Sequence, residues 1–136
     1  MSSIVVDASI VLAWLFDEDR AAAKLKPLIE KSDLIAPWLW RLEVANAVLV
    51  RLRRKSITET QAARVLRVLD ELEIDLIPEP ADRTAASLTQ IARPHQLSAY
   101  DAVYLDLAIR MGLPLFTRDE NLRAAAKRTG VPLVTG

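Results

Sequence analysis

Four acidic side chains of this 136-residue sequence stand at positions where an α/β sheet could bring them together, namely Asp7, Glu43, Asp101 and Asp119. Asp7 directly follows a β-branched run, and Asp119 comes two residues after another short apolar run. Open α/β sheets bind ligands at the carboxyl ends of their strands, so these acids are candidates for a shared site. Two carboxylates about 4 Å apart repel by about 4 kcal/mol at an effective dielectric of about 20, so a cluster must shift its pKa values or bind a cation.

A cluster of oxygen ligands favours a hard cation, Mg²⁺ or Mn²⁺ rather than zinc. Such a cation keeps several waters and suits phosphoryl chemistry, because it generates hydroxide and stabilises the leaving oxygen. The spacing of the acids therefore predicts a metal-dependent phosphoryl-transfer site.

Glu43 is the acid that local structure explains least well. The segment 42–50, LEVANAVLV, is apolar at every position but two, which predicts a helix that is buried all round. A buried carboxylate is unfavourable unless it is paired or binds a metal. Asn46 follows three residues later and shares a helix face with Glu43, so the two form a polar stripe. The alternative is a glutamate at the helix edge that contacts Arg41 or Arg51.

The other three acids have a structural alternative as helix caps. Asp7 could cap the following helix with help from Ser9. Asp101 could belong to a capping box that begins at Ser98, and Asp119 could cap its own helix. A shared site therefore requires that these acids converge with Glu43 in the folded chain.

Short apolar runs alternate with helical patterns along the whole sequence. The predicted strands cover 3–6, 34–36, 74–77, 114–117 and 132–135, and the predicted helices cover 10–16, 20–31, 38–55, 58–72, 82–92, 98–111 and 119–129. Strands separated by helices need crossover connections, which give a parallel sheet with helices on both faces. We expect one domain, 1–136, with a three-layer α/β/α sandwich around a short, mainly parallel sheet.

Composition excludes several other chemistries. The chain has no cysteine and one histidine, which removes disulfides, thiolate nucleophiles and His-rich or Cys-based metal sites. Eighteen basic and eighteen acidic residues leave no net charge, so bulk electrostatics alone would not bind nucleic acid. The longest apolar stretch, 10–16, is far shorter than the roughly 20 residues of a membrane span, and no basic region precedes it. A cytoplasmic domain without membrane contact is expected.

The ordered motifs resemble those of PIN-domain ribonucleases, especially the VapC toxins of bacterial toxin–antitoxin pairs. The segment VVDASI resembles the opening motif of the family, and APWLWRLEVANAV resembles its second motif. The segment SAYDAVYLDLAIRMGLPLFTRDENL resembles the third and fourth motifs. Together they cover residues 4–134, with the four acids in the family's order.

This resemblance implies a PIN-like fold and an endoribonuclease that uses Mg²⁺, with Mn²⁺ as a substitute. It carries four catalytic acids over to Asp7, Glu43, Asp101 and Asp119, with Asp7, Asp101 and Asp119 as the metal ligands. Glu43 would contact the metal or orient the attacking water. Three neighbours would support the acids or orient substrate: Ser9, Asn46 and Thr117. The resemblance also implies a homodimer and a cognate antitoxin whose tail occupies the site groove.

Two rival functions stay open on the residues alone. One is a non-catalytic PIN-like domain that binds RNA or a protein partner. The other is a receiver or haloacid-dehalogenase-like phosphotransfer domain, which also gathers acids at strand ends. The second rival expects a lysine near a late strand end, and the segment VPLVTG has none. The dehalogenase type also expects a second aspartate two residues after the first, where this chain has Ser9.

A basic cluster follows the helix of Glu43 and consists of Arg51, Arg53, Arg54 and Lys55. It could bind RNA phosphates, or it could be a solvated helix end that complements the helix dipole. Five aromatic residues are expected to pack in the core or at an interface rather than stack on bases: Trp14, Trp38, Trp40, Tyr100 and Tyr104. His95 is expected in a loop or on the surface.

Asp106 is an additional acid on the predicted helix of Asp101. Five positions correspond to about 140° around a helix axis, so Asp106 is predicted to lie outside the cluster. Glu120, next to Asp119, is left open as an assisting residue.

Overall fold

A four-stranded parallel sheet forms the centre of the fold. The computed structural model describes residues 2–16 and 21–134. Its strands are β1 (Ser2–Val6), β2 (Ser32–Pro37), β3 (Ile74–Ile77) and β4 (Leu115–Phe116), in the order β3-β2-β1-β4. The central strand β1 pairs with β2 from Ser2 to Val5 and with β4 at Val5 and Val6. This topology places the ends of β1 and β4 side by side, immediately before Asp7 and Thr117.

The helices form two groups, and contacts connect the members of each group. Those of the described residues are α1 (Ala8–Leu15), α2 (Leu25–Lys31), α3 (Leu39–Arg53), α4 (Glu59–Glu71), α5 (Ala85–Ala92), α6 (Ala99–Met111) and α7 (Glu120–Thr129). Helix α1 contacts α2 and α3, and α3 contacts α4. Helix α6 contacts α5, α7 and the two central strands. The α/β fold with a parallel sheet flanked by helices is therefore confirmed.

Helix ends follow the capping residues of the sequence. Thr58 and Gln61 form a reciprocal capping box at the start of α4. The predicted helix 82–92 begins only at Ala85, because Thr84 caps it. The predicted helix 20–31 is a 3-10 turn (Ala21–Lys24) followed by α2, and Arg20 lies outside the described residues.

The last predicted strand, 132–135, is reduced to a single parallel bridge between Leu133 and Leu115. The N–H of Leu115 donates to the carbonyl of Pro132, and the N–H of Val134 donates to the carbonyl of Leu115. Thr135 lies outside the described residues. The bridge adds a short edge contact beside β4.

The prediction that α3 is buried all round was wrong. Its buried residues are Trp40, Val44 and Val48, whereas the Leu42 and Leu49 side chains are 59% and 50% exposed. One face of α3 packs on the core and the other presents apolar side chains to the surface. The burial argument for Glu43 therefore rested on a wrong premise, and the carboxylate is half-buried. No helix of the described residues has the length and apolar character to cross a lipid bilayer.

Candidate active site

Asp7 lies at the junction of β1 and α1, at the carboxyl end of the central strand. Its N–H donates to the carbonyl of Phe116 (3.2 Å), which extends the pairing between β1 and β4 by one residue. Its Oδ1 atom accepts from the N–H of Ile10 (3.0 Å) and from the Ser9 hydroxyl (2.8 Å). Asp7 is thus the N-cap of α1, as the structural alternative predicted, and it is only 4% exposed.

Thr117 connects Asp7 with the start of α7. Its buried hydroxyl donates to Oδ2 of Asp7 and accepts from the N–H of Asp119 (3.0 Å). Oδ1 of Asp119 accepts from the N–H of Leu122 (2.8 Å), so Asp119 caps α7. Both carboxylates therefore cap helices, and the Thr117 hydroxyl links the Asp7 carboxylate to the backbone N–H of Asp119.

Asp101 lies in the first turn of α6, where the Ser98 hydroxyl accepts from its N–H (3.1 Å). Burial raises the pKa of Asp101, and the charge of Asp119 raises it further, while the hydrogen bond with Ser98 lowers it. The repulsion between the two carboxylates means that the first turn of α6 lies near the start of α7.

Glu43 has a neutral partner, Tyr104 of α6. The Tyr104 hydroxyl donates to Oε1 of Glu43 at 2.6 Å, and Tyr104 is 1% exposed. The partner is therefore neither Arg41 nor Arg51, which were the alternatives from sequence. Tyr104 packs in the core as predicted, but its hydroxyl has a role that the sequence prediction missed. A signal existed, because a buried tyrosine hydroxyl needs a hydrogen-bond partner and Glu43 needed a donor.

The electrostatics link all four acids. The pKa of Asp7 is raised from 3.8 to about 6, mainly by burial and to a smaller extent by the charge of Asp101, while the hydrogen bonds from Thr117, Ile10 and Ser9 act to lower it. Burial also raises the pKa of Glu43; the Tyr104 hydrogen bond lowers it, and repulsion from Asp7 and Asp101 raises it. Asp7, Glu43 and Asp101 therefore repel one another, and Asp119 joins this group through its repulsion of Asp101.

These acids do not converge on one point. Within residues 2–16 and 21–134, no three acidic or histidine side chains are arranged to hold one metal ion between them. The carboxylates of Asp7 and Asp119 each cap a helix instead, and that of Glu43 accepts from Tyr104.

The supporting residues predicted from sequence fall into two groups. Ser9 and Thr117 donate directly to Asp7, as a supporting role requires. Asn46 is exposed on α3, on the surface side of the helix.

The basic cluster divides in a similar way. Arg51, Ser9 and Asp119 line one open groove of about 480 Å³. The Arg51 guanidinium lies over the Phe16 ring, 4.5 Å from its centroid. The remaining members are exposed at the C-terminal end of α3 and beyond it: Arg53, Arg54 and Lys55.

The other aromatic and acidic residues have varied environments. Trp40 is buried, but Trp38 and Tyr100 are 49% and 64% exposed, so neither packs in the core. Asp106 lies away from the four acids and pairs with Arg83 and Arg110, as the helix geometry predicted.

Comparison with known proteins identifies the family of the chain. Residues 4–128 match the PIN domain. Ribonuclease VapC1 of Mycobacterium tuberculosis is 33% identical over 125 residues, which span 92% of each chain. The crystal structure of PAE2754 from Pyrobaculum aerophilum superposes with a TM-score of 0.70 at 25% identity, over 98% of this chain and 84% of that one. VapBC2 from Rickettsia felis, bound to a DNA fragment from its promoter, shares the fold with a TM-score of 0.66 at 16% identity, over 97% of each chain.

The chain belongs to the PIN-domain family and, within it, to the VapC ribonucleases.

Proposed function

We propose that this chain hydrolyses RNA phosphodiester bonds at the carboxyl edge of its sheet, with Asp7, Glu43, Asp101 and Asp119 as the catalytic acids. Family membership makes it an endoribonuclease, the toxin of a toxin–antitoxin pair. The observation that carries the assignment of the site is the environment of Asp7. This carboxylate is buried beside other acids, and within residues 2–16 and 21–134 it accepts from the neutral donors of Ser9, Ile10 and Thr117.

The chemistry of the donor set fits a divalent cation, although the described side chains are not arranged around one point and would have to move together to hold the ion. We propose that Asp7, Asp101 and Asp119 hold Mg²⁺, for which Mn²⁺ can substitute, because all-oxygen ligands suit these hard ions. Burial is the main cause that raises the pKa values of Asp7 and Asp101, and repulsion from a neighbouring acid adds to it; a bound cation would offset both effects. When bound, the ion would supply an acidified water and neutralise charge on the phosphate.

Glu43 is the residue that we propose orients the attacking water. The Tyr104 hydroxyl holds Oε1 of Glu43, so Oε2 is the oxygen left to accept a hydrogen bond from water. Ser9 and Thr117 hold the Asp7 carboxylate in a fixed orientation from both of its oxygens. Asn46 would contact substrate from the exposed side of α3.

Binding of the RNA backbone needs positive charge beside the acids. Arg51 lines the same groove as Asp119, and we propose that it contacts a phosphate there, with Arg53, Arg54 and Lys55 further along the substrate. Phosphate contacts of this kind position the strand without reading its sequence.

The proposed protein partners are a cognate antitoxin and a second copy of the chain. The VapBC2 structure holds a relative of this fold in such a toxin–antitoxin pair. The exposed apolar side chains of α3, which include Trp38, Leu42 and Leu49, offer a surface that a protein partner could cover.

RNA cleavage by the purified protein tests the proposal. We expect cleavage with Mg²⁺ or Mn²⁺, none with EDTA, and a loss of about a thousandfold or more in Asp101→Asn. Asp70→Asn is the matched control, because Asp70 is exposed on α4, and it should cleave like the wild type. Equal cleavage in EDTA would contradict the metal mechanism. No cleavage of any RNA by the wild type would instead favour the non-catalytic binding domain.

A further inference from the structure

A second groove, which we call the α7 groove, runs along one face of α7. It has a volume of about 400 Å³ and is lined by Pro94, His95, Gln96, Asn121, Ala124 and Arg128. Four of these six residues carry polar side chains. The sequence interpretation gave none of them a role in the site.

The α7 groove is lined by the segment that leads into α6 and by α7 itself, and the N-terminal ends of these two helices carry Asp101 and Asp119. Gln96 lies two residues before Ser98, which caps α6, and Asn121 lies two residues after Asp119. Helices α6 and α7 contact each other, and their first turns carry the mutually repelling Asp101 and Asp119. From Asn121 the groove extends to Arg128, a distance of about 10 Å along the helix axis.

Arg128 and His95 form a pair across the α7 groove. Nε of Arg128 donates to Nδ1 of His95 at 3.3 Å. Nδ1 of His95 is occupied by this bond, so Nε2 is the ring nitrogen that can meet a ligand. The Nη atoms of Arg128 present the fork that binds phosphate oxygens. A role in complementing the helix dipole would explain why an arginine stands in the last turn of α7. It would not explain why this arginine contacts His95, which belongs to another element.

We propose that the α7 groove binds the RNA strand next to the bond that is cut, with Arg128 and His95 on a phosphate and the amides of Gln96 and Asn121 on a base edge. This inference rests on the proposed function, whose site the groove would extend. The polar lining favours RNA over protein. The groove between α3 and α4 shows the contrast, because it is lined largely by apolar side chains such as Trp40, Leu69 and Leu76.

Binding measured without cleavage tests the α7 groove separately from the active site. The probe is a fluorescently labelled single-stranded RNA of about 12 nucleotides and mixed sequence, titrated in EDTA. We expect Arg128→Ala to raise the Kd about tenfold and to reduce the slope of log K against log salt by about 0.7, the value for one phosphate contact on a single strand. His95→Ala and Asn121→Ala should also raise the Kd. Both should change the salt slope less than Arg128→Ala does.

Lys127→Ala is the matched control. Lys127 is the exposed neighbour of Arg128 and does not line the groove, and its substitution removes the same charge. It should bind RNA nearly as the wild type does. With Mg²⁺ present, Arg128→Ala should raise KM and leave kcat unchanged.

Equal Kd values for Arg128→Ala and Lys127→Ala would overturn the proposal. Loss of antitoxin binding in Arg128→Ala with RNA binding intact would also overturn it and assign the groove to the protein partner. A wild type that binds RNA in EDTA but never cleaves it would contradict the proposed function and not the groove.

Discussion

Asp7 and Asp106 are two carboxylates of one fold that are stabilised in opposite ways. Asp106 accepts from Arg83 and from Nε of Arg110 (2.7 Å), so its counter-charge is part of the chain. Asp7 is the more buried of the two and accepts from neutral hydroxyl and amide donors, with further acids near it.

The difference distinguishes a structural acid from a candidate ligand. An acid that lies between two arginines is already neutralised, whereas an acid among acids needs a counter-charge from outside the chain. Helix α6 carries both kinds, with Asp101 in its first turn and Asp106 five residues later. Four experiments sharpen or break this comparison.

The largest expected effect is on the pH dependence of stability in Asp7→Asn. Without metal, folded Asp7 keeps its proton up to about pH 6, while the unfolded chain releases it near 3.8. The free energy of unfolding of the wild type should therefore fall as the pH rises from about 4 to about 6. Asp7→Asn keeps a good N-cap and lacks this titration, so above pH 6 it should exceed the wild type by up to about 3 kcal/mol.

Urea denaturation in EDTA at about pH 4.5 and about pH 7.5 measures this change. The exposed Asp70→Asn serves as the control and should follow the wild type. A wild type and an Asp7→Asn variant with the same pH slope would show that burial of Asp7 carries no such penalty.

Divalent metal should give the next largest effect. At a concentration of about 100 times its Kd, Mg²⁺ or Mn²⁺ should stabilise the folded wild type by about 2.7 kcal/mol, and EDTA should reverse this. Thermal melting checks it. Asp101→Asn should lose most of the rise, whereas Asp106→Asn should keep it. The same rise in both variants would mean that the ion binds elsewhere.

Asp106→Asn should act on stability and not on chemistry. It leaves Arg83, whose side chain is 12% exposed, without its anionic partner on α6. We expect a loss of about 2 kcal/mol in the free energy of unfolding. RNA cleavage per folded molecule should stay at the wild-type level. A stable variant that no longer cleaves RNA would place Asp106 in the site and end the comparison.

Tyr104→Phe should have the smallest effect on stability. It removes the donor to Oε1 of Glu43 and should cost about 1 kcal/mol, because a single hydrogen bond is lost. Glu43 should then orient water less well, so kcat should fall about tenfold with KM unchanged. The exposed Tyr100→Phe is the control. Unchanged kcat in Tyr104→Phe would limit Tyr104 to packing.

Much of the fold was predictable because its signals are local. The β-branched runs before Asp7 and around Ile35 form strands, and Thr58, Ser98 and Asp119 cap the helices that they were predicted to begin. The ordered set of motifs that contain the acids was sufficient for the resemblance to the PIN-domain family.

Contacts between distant segments were not predictable in this way. Tyr104 and Glu43 are 61 residues apart, and periodicity shows that a residue faces inward without showing what it meets. The prediction that α3 is buried all round was wrong for another reason. Leu42 and Leu49 are exposed, but in the sequence they look like core residues. An apolar surface that suits a protein partner cannot be distinguished by composition from a buried face.

The hydrogen bond from Thr117 to Asp7 has a consequence for synthesis of the protein. It joins positions 110 residues apart, and Asp119 follows it directly. Under the proposed function, a nascent chain that contains Asp7, Glu43 and Asp101 but not yet Asp119 would lack one of its four acids. The pairing of β4 with β1, which places Thr117 beside Asp7, can form only after β4 has been translated. We therefore expect that a nascent chain cannot cut RNA, the messenger from which it is being read included, until the ribosome has passed Asp119.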